Sequence, residues 1–210
     1  MTQAIQQSLR DKAWARWTVL ILIALTMFFA YMFVDVLSPL KSMLEKTAEE
    51  GGLGWSSTVF GTYGSSEFFL NVFFFFLIFA GIILDKMGVR FTAVLSGSLM
   101  VLGALIKVYA LGSTFNNGGF GFELFNSFMP SMPPSAKLAC VGFMIFGCGC
   151  EMGGVTVSRA IVKWFEGKEM ALAMGLEMAV ARLGVFAVFR MSAPIAEKFG
   201  SVQAPVILCL

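Results

Sequence analysis

The sequence predicts an all-α membrane protein. Of its 210 residues 58% are apolar and only 13% are charged, and mean hydropathy is +0.81. A soluble domain carries about 25% charged and about 45–50% apolar residues, so this chain has too little polar surface to cover a water-facing globule. The apolar residues also fall into runs of membrane-spanning length, about 20 residues each, separated by short polar segments. Basic residues are concentrated in alternate connections, the pattern that orients a multi-pass protein.

Taken in order, residues 1–16 form a polar tail, and the first span runs from about Trp17 to Ser38. That run is long enough to cross a bilayer and lacks a small-residue cleavage site behind it, so it reads as a retained helix. The second span runs from about Thr58 to Leu84 and contains four consecutive phenylalanines, Phe73 to Phe76. The third covers about Phe91 to Leu111, the fourth about Lys137 to Trp164, and the fifth about Glu169 to Ala196. A sixth apolar run begins at about 203 and reaches the chain end at Leu210. That leaves too few residues to cross, so a truncated sixth helix and a missing C-terminal half are expected. Residues 17–210 read as one helical bundle, with no second domain.

Arg10, Lys12, Arg16, Lys86, Arg90, Arg159, Lys163 and Lys168 would lie on one side. The other side has Lys41, Lys46, Lys137 and Lys198, diluted by Glu45, Glu49, Glu50, Glu123 and Glu197. This asymmetry predicts a cytoplasmic N-terminus. Of the two outer connections, Pro39 to Ser57 has a helical, acidic character and Ser113 to Ser135 reads as irregular loop. A formal net charge of +2 provides no concentrated basic face for nucleic acid. The absence of histidine removes histidine-based triads and most zinc sites, so no metal or cofactor is expected. The four cysteines, Cys140, Cys148, Cys150 and Cys209, sit in apolar segments and read as packing residues.

The connection after the second span carries Gly81, Asp85, Lys86, Gly88 and Arg90 in the spacing G-x-x-x-D-K-x-G-x-R. Glycine permits close helix approach at 81 and a tight reversal at 88, and Asp85 and Arg90 can pair or hold a neighbouring helix end. The spacing resembles the signature of the major facilitator superfamily, which implies a conformational latch on the cytoplasmic side. Further along come Gly149-Cys150-Glu151-Met152-Gly153-Gly154, Trp164-Phe165-Glu166-Gly167-Lys168-Glu169 and Ala181-Arg182-Leu183-Gly184. Together these resemble the lysosomal dipeptide transporter branch and its bacterial relatives. The resemblance implies the N-terminal six-helix half of the superfamily fold, with Glu151 and Arg182 at the termini of a bound dipeptide.

Spacing alone reaches the same pair. The fourth and fifth spans form a hairpin turning near Glu166, with Glu151 fifteen residues before it and Arg182 sixteen after. At 1.5 Å per residue each lies roughly 23 Å from the turn, well inside the bilayer. A lone charge there costs at least about 2.5–3.5 kcal/mol, so the two either pair or face a wet cavity. A structural ion pair is the plainer alternative, but apolar side chains would have served packing as well. Glu67 and Lys107 match in depth by the same reasoning, and with Asp35 they are candidates for an outer vestibule or for proton coupling. Lys107 can also snorkel to the outer interface.

The sequence thus predicts a secondary transporter for a small zwitterionic solute, a dipeptide by resemblance, working by alternating access in a lipid bilayer. Two alternatives stay open: an organic anion or nitrate-type carrier in which Arg182 alone binds, and a non-transporting structural membrane subunit. There is no N-x-S/T site and no acidic dileucine signal in the tail, which favours a bacterial cytoplasmic membrane.

Overall fold

A computed structural model describes residues 9, 11–47, 50 and 52–210. Arg10 and Glu49, used in the charge argument, and residues 1–8 of the expected tail lie outside the described residues. The described elements are all helical.

Helix α1 (Ala13–Val34) starts ahead of the expected Trp17. After its cap at Asp35 the chain continues through a 3-10 turn (Ser38–Leu40) and a short α2 (Lys41–Leu44), so one apolar stretch extends from Ala13 to Leu44. Helix α3 (Ser57–Phe73) begins at a built N-cap, where the Val59 amide donates to Ser56 Oγ at 3.2 Å. It ends inside the phenylalanine run: Phe75 adopts a left-handed conformation (φ 52°) before α4 (Phe76–Leu111) begins. The expected second span is therefore two helical pieces. Nothing in four consecutive apolar side chains signals that interruption.

Gly88 (φ 80°, ψ 168°) breaks α4, and the chain reverses there. Before the break, Tyr63 stacks on Phe143 and the Glu67 backbone abuts Gly147, so the chain ascends alongside the helix that follows later. After it, Ser96 meets Gly149 and Gly103 meets Gly142, so the direction is opposite. This conformation is open almost only to glycine. The expected irregular loop 113–135 contains two short helices, α5 (Ser113–Asn116) and α6 (Phe122–Asn126). Helix α7 (Pro134–Phe165) opens with proline in its first turn, where no amide partner is needed. Helix α8 (Met170–Phe199) is closed by left-handed Gly200, and α9 (Gln203–Leu208) follows.

The described connections gather at two ends. At one, Lys168 pairs with Asp11 at 2.8 Å, Arg16 with Glu169 at 3.5 Å and Arg159 with Asp85 at 3.8 Å. At the other, Trp55 Nε1 donates to Ser135 Oγ at 3.0 Å, and residues around 52, 113, 134 and 201 surround one cavity. Four stretches among the described residues are long and apolar enough to cross a membrane: Ala13–Leu44, Phe76–Leu111, Pro134–Phe165 and Met170–Phe199. The 17-residue α3 falls short of that length by itself. Many large apolar side chains, among them Ile21, Leu22, Phe29, Ile78, Val94 and Phe186, point outward, which suits lipid rather than water.

Small residues decide which helices touch. Gly103 and Gly142 let α4 and α7 meet backbone to backbone, and Ser96 Oγ donates across the same interface to the Gly149 carbonyl at 2.8 Å. Gly184 does the same for α8 against α1, since a methyl group there would overlap the Phe28 carbonyl. Helix α8 consequently packs mainly on α1 and only lightly on α7. This corrects the expectation that the hairpin of the fourth and fifth spans makes them adjacent helices: they share a turn, but α8 lies chiefly against α1.

Candidate functional site

Glu151 is half-buried on α7 and Arg182 is exposed on α8. Among the described residues no ion pair joins them. What lies with them is Tyr31 of α1. The Arg182 guanidinium carbon sits 5.2 Å from the centre of the Tyr31 ring, and Glu151, Glu177 and Cys150 are the other ionisable groups within electrostatic reach of that phenol. Tyr31 thus stands where the two candidate charges converge. Sequence reasoning missed it, because its ring belongs to an unbroken apolar helix and only the packing of α8 on α1 puts an arginine over it. A cation over an aromatic face is attracted to the ring quadrupole and can hold the guanidinium edge free for a carboxylate.

The second constellation forms a separate, more deeply buried group. Lys107 is fully buried (0% exposed), so it does not snorkel to the interface. Its Nζ donates to the Phe33 carbonyl at 3.3 Å and lies 4.3 Å from the Phe33 ring centre, 4.5 Å from that of Phe143 and 5.3 Å from that of Tyr63. One cation is therefore held by α1, α3 and α7 as well as its own helix. Three ring faces replace part of its hydration and make burial tolerable. Glu67 is also buried, at 6% exposure, and its charged neighbours are Lys107, Glu151 and Asp35. Asp35 is half-buried just beyond α1 and accepts from the Ser38 hydroxyl at 3.1 Å. Asp35 and Lys107 both lie within electrostatic reach of Glu67, without a direct Glu67–Lys107 ion pair among the described residues.

The expected latch residues lie at the opposite end of the bundle. Gly88 provides the reversal and Asp85, Lys86 and Arg90 are exposed around it, but Gly81 is no close-approach point, since a side chain there would meet open space among the described residues. Asp85 pairs with Arg159 of α7 rather than with Arg90. Arg159 counts in the sequence only as one more positive charge; the fold makes it the partner that ties the reversal to the central helix. Among the described residues no group of three or more cysteine, aspartate or glutamate side chains is arranged to hold a metal ion.

No family model matches the chain, and no solved structure matches it. Similarity to characterised proteins is nevertheless clear. Over half its length the chain is similar to lysosomal dipeptide transporters. It is 33% identical over 115 residues to the lysosomal dipeptide transporter MFSD1 of Danio rerio, covering 54% of this chain and 20% of that protein. The human and bovine proteins of the same name are each 30% identical over 107 residues, covering 50% of this chain and 19% of theirs. The matched stretch spans about a fifth of the relatives' length. These relatives are members of the major facilitator superfamily, transporters rather than enzymes. Apolar helices and relatives together make this a multi-pass membrane protein.

Proposed function

We propose that this chain is part of a secondary transporter that moves a small zwitterionic solute, a dipeptide, by alternating access between two faces of a membrane. The observation that supports this most directly is the pair of opposite charges Glu151 and Arg182, on two helices and without an ion pair among the described residues, with Tyr31 beside them. A zwitterion supplies the two partners these side chains lack among the described residues, a carboxylate for the exposed Arg182 and an ammonium for the half-buried Glu151. The similar lysosomal dipeptide transporters point to the same substrate class. The facing wall of the cavity comes from a second half, and the two halves rock about the midplane site.

In this reading the end that carries Arg16, Asp85, Arg159 and Lys168 is cytoplasmic, with the Asp85–Arg159 pair as the latch that opens when that side opens. The membrane is the bacterial cytoplasmic one. The test is uptake of labelled dipeptide into proteoliposomes by the complete gene product. Arg182→Ala and Glu151→Gln are each expected to lower kcat/KM at least tenfold. An unchanged rate for Arg182→Ala would remove the site. Loss with Arg182→Ala but not with Glu151→Gln would favour an organic anion carrier, and no uptake of any solute would favour a structural subunit.

A further inference from the structure

Two connections at the end of the bundle away from Gly88 differ sharply in composition. One carries Glu45, Lys46, Glu49 and Glu50 within a few residues of each other. The other holds five phenylalanines between 108 and 136 and a single charged residue, Glu123. The structure sorts those rings into two sets. Phe122 and Phe125 turn inward onto fully buried Phe115, with ring centres 5.6 and 6.3 Å from it. Phe120, Leu124 and Met129 turn outward and are 95%, 66% and 58% exposed. An outward apolar cluster of this kind marks a surface that meets something other than water.

Depth and continuity identify what it meets. Arg159 and Pro134 are about 37 Å apart along α7 at 1.5 Å per residue. With Arg159 among the headgroups of one surface, the start of α7 reaches the opposite edge of a hydrocarbon core about 30 Å thick. The segment 120–129 is tied to that point, because Lys137 Nζ donates to the Phe125 carbonyl at 2.6 Å and to the Phe128 carbonyl. A groove of about 390 Å³ lies between α3, α6 and α7, and its lining includes Phe69, Phe128, Met129 and Val141, all exposed. The outward face of the segment therefore merges with the apolar sides of α3 and α7 instead of standing apart from them.

Charge narrows the lipid chemistry. No lysine or arginine lies between 108 and 136, and the Lys137 ammonium at the edge of that stretch is committed to two backbone carbonyls. An anionic headgroup therefore finds no basic cluster here, whereas acyl chains find an apolar face.

We infer that residues 120–129 form an interfacial lipid-binding segment, with Phe120, Leu124 and Met129 seated at the boundary between headgroups and acyl chains. Its ligand is the acyl region of the surrounding phospholipid, whatever the headgroup charge. Through Lys137 the segment pins the first turn of α7 and so sets the depth of the helix that carries Glu151. This seat requires a bilayer around the bundle and is independent of any transported solute.

The experiment reconstitutes the complete gene product in phosphatidylcholine vesicles, with an environment-sensitive fluorescent amino acid in place of Phe120 or, in a second protein, of Leu124. Quenching by lipid carrying a nitroxide near its headgroup is compared with quenching by aqueous iodide. The same label at exposed Thr47, in the charged connection, gives the water reference, and at exposed Ile78 of α4 the lipid reference. Labels at 120 and 124 are expected to be quenched several-fold more by the nitroxide lipid, and several-fold less by iodide, than the label at 47. Phe120→Asp combined with Leu124→Asp changes only exposed side chains, so it should keep the melting temperature in detergent while lowering nitroxide quenching of a label at Met129 several-fold. Quenching at 120 and 124 that matches Thr47 overturns the inference, as does Met129 quenching unchanged by the double substitution. Protection from both quenchers overturns it too and makes this face a protein contact. Lipid quenching that appears only after anionic lipid is added overturns the acyl assignment.

Discussion

Replacing Tyr31 tests the candidate substrate site at its least conspicuous member. The Arg182 guanidinium carbon lies 5.2 Å from the Tyr31 ring centre, inside the range of about 6 Å in which a cation is attracted to an aromatic face. Arg182 is exposed in this chain, so the value for exposed sites, about 0.5–1 kcal/mol, is the appropriate one rather than the larger desolvated value. If that attraction holds the guanidinium in the orientation that receives a carboxylate, its loss should weaken dipeptide affinity by about 2- to 5-fold. Tyr31→Leu removes the ring and should raise KM by that factor with little change in kcat. Tyr31→Phe keeps the ring and should stay within about 1.5-fold of wild type, because the quadrupole does not require the hydroxyl. Dipeptide uptake into proteoliposomes at several concentrations separates KM from kcat. Equal KM for Tyr31→Leu and wild type would refute the orienting role. Equal damage from Phe and Leu would show that the hydroxyl, not the ring, is what matters.

Three other outcomes follow from the packing. Gly184→Leu should lower the melting temperature in detergent and reduce cross-linking between cysteines placed on α1 and α8, because overpacking this contact costs about 1–3 kcal/mol and the Phe28 carbonyl cannot yield as a flexible side chain would. Gly88→Ala should destabilise the fold by about 1–3 kcal/mol, read from the same melts, because alanine is strained at φ 80° and ψ 168° although space is open there. Asp85→Asn should leave the melting temperature almost unchanged, since the pair with Arg159 is exposed on both sides and worth at most about 1 kcal/mol. Its effect should appear in the transport rate; a large drop in melting temperature instead would make the pair structural.

The parts legible in the sequence are those set by local composition. Long apolar runs announce helices, Gly88 announces a reversal, and the basic residues 12, 16, 86, 90, 159 and 168 announce connections gathered at one end. The break at Phe74–Phe75 was not legible, because phenylalanine carries no turn preference. Arg159 looked like one positive charge among several until Asp85 was found beside it. Snorkelling to the interface was one option the sequence left open for Lys107, but the rings that hold it come from residues 33, 63 and 143, far apart in the chain.

Composition and period by themselves therefore determined the apolar solvent and the helical class, because both depend only on residues within one run and on the fixed rise of a helix. Which helices touch was decided by the tertiary structure alone. Small residues such as Gly184 and Gly142 admit a neighbouring backbone only if that neighbour presents a matching surface, and no single run contains both sides of that contact. For this reason α8 lies on α1, Tyr31 stands beside Arg182, and Glu67 shares its surroundings with Lys107.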